Sequence, residues 1–154
     1  GREEPLPGLD PGGYESFRLS PDGSRLALDF GRSRLWTYDI ARGVRNPLTT
    51  EFGVSDTNPV WTPDGTRIVF SRGNRLLLIA SDGTGAAEEL LTRENAGQLI
   101  PESWSPDGTK IVFRSFRRQN EIHLVDYAPD SQKSQTVYVT RLGSLCSFRQ
   151  RVIH

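Results

Sequence analysis

Three decapeptides, LSPDGSRLAL (residues 19–28), WTPDGTRIVF (61–70) and WSPDGTKIVF (104–113), fix the reading of this 154-residue chain. Their prolines, Pro21, Pro63 and Pro106, stand 42 and 43 residues apart, and a fixed period of that length marks a repeat architecture. Each decapeptide reads as a hairpin. Proline presets φ at the first central turn position, the following Asp (Asp22, Asp64, Asp107) caps the turn backbone, and the glycine (Gly23, Gly65, Gly108) accepts positive φ. The segments that follow, RLALDF, RIVFSR and KIVFRS, are β-branched and aromatic runs too short for helices. Being nearly continuous in apolar residues, they predict strands covered on both faces.

Outward from the hairpins, each unit carries a third β-prone segment: LWTYD from Leu35, LLLIA from Leu76 and IHLVD from Ile122. A fourth follows at Leu48 and Thr49, Leu91 and Thr92, and Val139 and Thr140. Four antiparallel strands per period make one propeller blade, so the fold class is all-β with three four-stranded blades, at about 14–50, 57–93 and 100–141. The best helical competitor, GAAEELLTREN (85–95), aligns with the fourth strand of its neighbours. At the start, Pro5 and Leu6 precede Pro47 and Leu48 by the same 42 residues, so 1–13 reads as an orphan outer strand (Arg2–Leu6) with a linker. Residues 142–154 start no further repeat and read as a tail, disordered or foreign to the array.

Composition narrows the function. Lys and Arg total 19, as do Asp and Glu, so no net field draws the chain to nucleic acid, and any charge preference is local. No apolar stretch reaches the roughly 18–20 residues that span a bilayer, so membrane insertion is not expected. A single cysteine, Cys146, excludes an internal disulfide and reads as a bystander. One Cys and two His supply no zinc ligand set, and neither metal nor cofactor is expected.

The Ser-Pro-Asp-Gly and Thr-Pro-Asp-Gly turns, two of them preceded by Trp and followed by RIVF or KIVF, resemble the TolB-type, WD-like propeller repeats over roughly residues 14–141. Details such as GREEPL, DIARG and SDGTGAAEELLTR are most similar to the propeller regions that follow some bacterial serine/threonine protein kinase domains. The resemblance implies a six-bladed ring used for protein interaction, often outside the cytoplasm. The chain departs from the pattern in having three blades, and in Ala80 where Asp39 and Asp126 stand in the other units.

Blades pack face to face, and three of them leave two apolar faces of roughly 400–700 Å² each, a size that marks an interface. Two copies supply six blades, so a homodimer of half-rings is expected.

Candidate chemistry concentrates on the edge opposite the Pro-Asp-Gly turns, where second-to-third strand loops meet blade-to-blade loops. They carry Arg32, Arg34, Arg72, Asn74, Arg117, Arg118 and Asn120, with Asp56, Asn58 and Glu102, around the predicted channel mouth. The run RSFRRQN (114–120) combines Arg with an aromatic residue, as interface anchors do. The repeated Asp22, Asp64 and Asp107 serve their own turns. His123 reads as a packed strand histidine, and Trp61 and Trp104 as anchors between blades. No nucleophile elbow is present, so the reading is a noncatalytic interaction scaffold for a protein, peptide or small ligand. The alternatives are the propeller part of a hydrolase, or a self-associating remnant.

Overall fold

The computed structural model describes residues 3–9, 11–31, 34–116, 120–127 and 137–140, with the backbone alone at 120 and 137–140. Twelve strands follow in chain order. The first four are β1 (Tyr14–Leu19), β2 (Arg25–Phe30), β3 (Arg34–Asp39) and β4 (Val44–Pro47). The next four are β5 (Thr57–Trp61), β6 (Arg67–Arg72), β7 (Arg75–Ala80) and β8 (Glu88–Thr92). The last are β9 (Gln98–Trp104), β10 (Lys110–Phe116), β11 (Asn120–Asp126) and β12 (Val137–Thr140). They form three antiparallel meanders, β1-β2-β3-β4, β5-β6-β7-β8 and β9-β10-β11-β12. The segment that competed for a helix, GAAEELLTREN, contains β8.

Each hairpin turn is built as its residue types require. In the first, the Gly23 amide donates to Ser20 O at 2.9 Å with Gly23 at φ 72°. Asp22 accepts from Ser20 Oγ, the Ser24 amide and Ser24 Oγ at 2.6, 3.1 and 2.8 Å. Asp64 and Asp107 repeat the pattern with Thr62 and Thr66, and with Ser105 and Thr109. These donors stabilise the ionised carboxylate, which holds Asp22 and Asp107 at about 2 and lowers Asp64 as well. All three aspartates are therefore occupied by their own turns and converge on no common point.

The three sheets pack on one another through apolar faces. Between the first and second lie Ala27, Leu35 and Leu48 against Trp61, Ile68, Phe70, Leu77 and Ile79. Between the second and third lie Val60, Val69, Leu76, Leu78 and Leu91 against Leu99, Ile111, Phe113 and Val125. The middle sheet is covered on both sides, which is why IVF (68–70) and LLLI (76–79) are unbroken apolar runs. Each such side chain contributes about 1.5–3 kcal/mol. Trp61 anchors one seam as expected, its indole N–H donating to Arg18 O at 3.0 Å. Trp104 packs edge-on against Tyr127, but its indole N–H finds no partner among the described residues.

Consecutive turns also stack. A Cβ on Gly65 would lie 3.6 Å from Pro21 Cδ, and one on Gly108 would lie 3.8 Å from Pro63 Cδ. The first strands of the three sheets, β1, β5 and β9, form the inner row: β1 touches β5, β5 touches β9, and each carries a bulge against its hairpin partner.

The orphan outer strand expected over Arg2–Leu6 has no preceding sheet to pair with in the single chain. Glu3–Leu6 form no strand, since no third strand of a preceding sheet stands beside them, and Arg2 lies outside the described residues. Instead Pro7 O accepts a 2.6 Å hydrogen bond from the Tyr38 hydroxyl. The tail at 142–154 also lies outside the described residues.

Positive φ at Gly65 sets a stability expectation. Gly65→Ala should cost about 1–2 kcal/mol, the cost of a Cβ in the left-handed region, read as a lower urea midpoint at unchanged slope. An unchanged midpoint would contradict the turn geometry.

Candidate functional site

Asp29 organises the inner strands. It sits opposite the β1 bulge, where Glu15 and Ser16 fall between the register pairs of Tyr14 with Phe30 and Phe17 with Leu28. Its buried carboxylate accepts from the Glu15 and Ser16 amides, at 3.0 and 2.9 Å, and from Ser16 Oγ at 2.7 Å. It also accepts from the Asn58 amide of the next sheet at 3.3 Å, so one side chain closes the bulge and ties β1 to β5. Asn58 itself has φ 56°, a conformation asparagine tolerates better than most residues.

Beside this staple, the inner strands frame an open groove of about 370 Å³. Glu15 and Arg18 line it from β1, Asn58 from β5, Ile100 and Glu102 from β9, and Arg114 from β10. Arg114 is ion-paired with Glu102. The groove thus offers both signs of charge, an amide and an apolar wall, which suits a polar chain with an apolar anchor better than a bare anion or cation.

Of the residues singled out in the sequence, Asn58 and Glu102 meet in this groove. Arg72 and Asp56 are instead each other's partners. Arg72 Nε donates to Asp56 Oδ1 at 2.7 Å and Nη2 to Oδ2 at 2.9 Å, with Glu51 as a third member. Asp56 is fully buried and its hydrogen bonds raise the Arg72 pKa, so this pair holds β5 against β6. Asn74 is spent on the Arg93 carbonyl, at 3.1 Å. Arg34 lies over the Phe52 ring at 4.4 Å. Arg32, Arg117 and Arg118 lie outside the described residues, as does the side chain of Asn120.

Sequence reasoning found Phe116, within RSFRRQN, but missed the rest of the aromatic part of this edge. Phe52, in the loop between the first two sheets, is 82 % exposed, and Phe30 and Phe116 are exposed where β2 and β10 reach the same edge. Arg114 covers Phe116 at 5.6 Å as Arg34 covers Phe52. The missing signal was available in part, since EFGVSD places a lone aromatic in a polar connection.

His123 is 1 % exposed and stacks on Phe113 with ring centroids 4.9 Å apart. Its Nδ1 lies 3.1 Å from Arg93 Nη1, and its Nε2 lies 2.8 Å from Ser115 Oγ. Arginine can only donate, so Nδ1 accepts and Nε2–H donates to the serine. Hydroxyl activation needs the reverse, an accepting Nε2 with a carboxylate behind Nδ1. Burial, and then the Arg93 charge, lower the His123 pKa to about 4, partly offset by Glu121. Among the described residues, no three His, Cys, Asp or Glu side chains stand close enough to hold a metal ion.

No protein-family model and no curated protein sequence matches this chain. Solved structures do. A structure assigned to TolB from Agrobacterium tumefaciens aligns at 25% identity with a TM-score of 0.61, over 71% of this chain and 44% of its own. TolB from Acinetobacter baumannii aligns at 15% identity with a TM-score of 0.62, over 83% of this chain and 41% of its own. A Bacteroides uniformis protein assigned as a 6-phosphogluconolactonase shares the fold at 15% identity and a TM-score of 0.57, over 80% of this chain and 39% of its own. The chain spans less than half the length of each, and its fold is that of TolB-like β-propeller blades.

The buried neutral histidine predicts a pH dependence. The unfolded chain protonates His123 near 6.5 and the folded chain only at about 4. Its contribution is therefore complete above pH 6.5 and declines as pH falls toward 4. Between pH 7 and 5.5 the wild type should lose roughly 1 kcal/mol in urea unfolding, and His123→Gln should flatten that decline. A wild-type profile already flat over this range would contradict the assignment.

Proposed function

We propose that this chain is a noncatalytic propeller module that binds a protein or peptide at the channel mouth. On this reading its three blades are half of a six-bladed ring, and a second copy completes it. One observation carries the proposal: the inner strands carry a groove of mixed charge, lined by exposed Phe17, and the loop edge of the same sheets exposes Phe30, Phe52 and Phe116, two of them covered by arginines. Arginine and aromatic residues grouped on a rigid scaffold are the usual anchors of protein recognition. The ligand that fits is a peptide segment with an apolar or aromatic side chain flanked by charges.

The polarity of His123 supports a noncatalytic role, because the one buried histidine of the repeats donates to its serine. The balanced charge favours a protein ligand over nucleic acid. The likeness of GREEPL, DIARG and SDGTGAAEELLTR to regions after bacterial kinase domains fits the same role, that of a recognition module in a sensor.

Selection of a random peptide library on the immobilised chain tests the binding reading. Enriched peptides should bind in calorimetry, and the double charge reversal Arg117→Glu with Arg118→Glu should weaken them at least tenfold at unchanged melting temperature. Unchanged affinity, or no enrichment over the bare support, would contradict it. Ring completion predicts a sedimentation mass of twice 17.2 kDa at tens of micromolar. A mass of one copy there would remove the half-ring.

A further inference from the structure

We infer that the open face of the first sheet docks the open face of the third sheet of a second copy, head to tail, with Pro106 of that copy seated on Gly23. The inference rests on the half-ring reading and specifies which surfaces meet. Strand register aligns Leu19, Leu26, Leu28, Trp36 and Tyr38 with Trp61, Ile68, Phe70, Leu77 and Ile79, the face on which the second sheet receives the first. In the first sheet the inner part of this face is bare, with Phe17 62 % and Leu19 56 % exposed, while Leu28 and Tyr38 further out are already buried in the single chain. The third sheet presents the opposite side of the same joint. Val112, Ile122 and Leu124 stand where Val69, Leu76 and Leu78 stand in the second sheet, but are only half-buried.

The turns give the polarity. Pro21 packs on Gly65 and Pro63 on Gly108, so each joint sets the proline of one sheet on the turn glycine of the next. At the two ends of the array this contact is unfilled: a Cβ on Gly23 would meet nothing within 4 Å, and Pro106 is exposed. Head-to-tail docking fills both, whereas like faces meeting fill neither. At the outer rim, Gly43 packs on Pro7 much as Gly83 packs on Pro47 and Leu48 of the preceding sheet. The first sheet is thus shaped to receive a neighbour, and Pro7 holds one point of a place that a whole sheet would take over.

Electrostatics and area permit the joint. The charges on the third sheet's open face are paired within it, Lys110 with Asp126 and Arg114 with Glu102, and on the first sheet's face the Arg45 guanidinium lies over the Trp36 ring. Four strands about 4.8 Å apart and six residues of about 3.3 Å make a face of roughly 400 Å². Two joints of two faces each bury roughly 1,600 Å², the size of a stable interface. Closure also supplies the other half of the channel, so the groove on β1, β5 and β9 is completed by the second copy.

One variant on each face tests the arrangement, Leu19→Glu and Val112→Glu, with Leu124→Glu as a second choice if Val112→Glu does not fold by circular dichroism. Sedimentation velocity on the full chain should show a wild-type dimer and each folded variant alone as a monomer, since every joint then contains a damaged face. An equimolar mixture should regain association that neither variant shows, through one joint free of both changes. Variants that dimerise alone, or a mixture that regains nothing, overturn the head-to-tail joint and leave the ring reading intact. A monomeric wild type removes both.

Discussion

Ile68, Val69 and Phe70 are consecutive residues of one strand, and all three are fully buried. Successive side chains of a strand point to opposite faces, so this needs cover on both sides of the sheet; Ala27, Leu28 and Asp29 meet the same demand in the first sheet. The neighbouring strand repeats the demand with Leu76 to Ile79. Everything else about the molecule follows from satisfying it: the first and third sheets are the two covers, and stacking them sideways sets β1, β5 and β9 next to one another. The groove exists because these strands come together, and the exposed phenylalanines gather because every second strand ends at the same edge.

Polar residues complete what apolar packing begins. Asp29 accepts from the amides of the β1 bulge, and with the same carboxylate reaches the next sheet. Arg25 crosses the same joint on the opposite edge, with hydrogen bonds to Ser81 O and Gly65 O and its guanidinium over the Trp61 ring. The first joint is therefore fixed at both ends, which keeps the inner strands in register and the groove in shape. His123, Arg93 and Ser115 fill a comparable place at the second joint. These groups act on structure, and the residues left for recognition are those on the inner strands and the loop edge.

Much of the fold was legible because its signals are local. A Pro-Asp-Gly turn needs only its own neighbours, so the three hairpins, their period and the strands around them could be read directly, and β8 could be told from a helix by alignment with its repeats. The site was legible only in part, because its relations are long-range. Arg72 and Asp56 were both singled out as candidates for a ligand, yet 16 residues apart they bind each other. Asp29 went unnoticed, although a carboxylate inside the apolar run RLALDF is the kind of residue that needs a partner. The bulges it serves have no signature of their own. His123 was recognisable as a packed residue, but Arg93, its partner from another sheet, was not.

Native-state hydrogen exchange measures the central demand most directly, because it reports protection strand by strand. If cover on both faces is what holds the array together, the amides of β6 and β7 exchange most slowly, by global unfolding, and those of β2 and β10, where Leu26, Val112 and Arg114 are only half-buried, exchange faster. Equal protection across the three sheets, or slower exchange in β2 or β10 than in β6, would contradict the account.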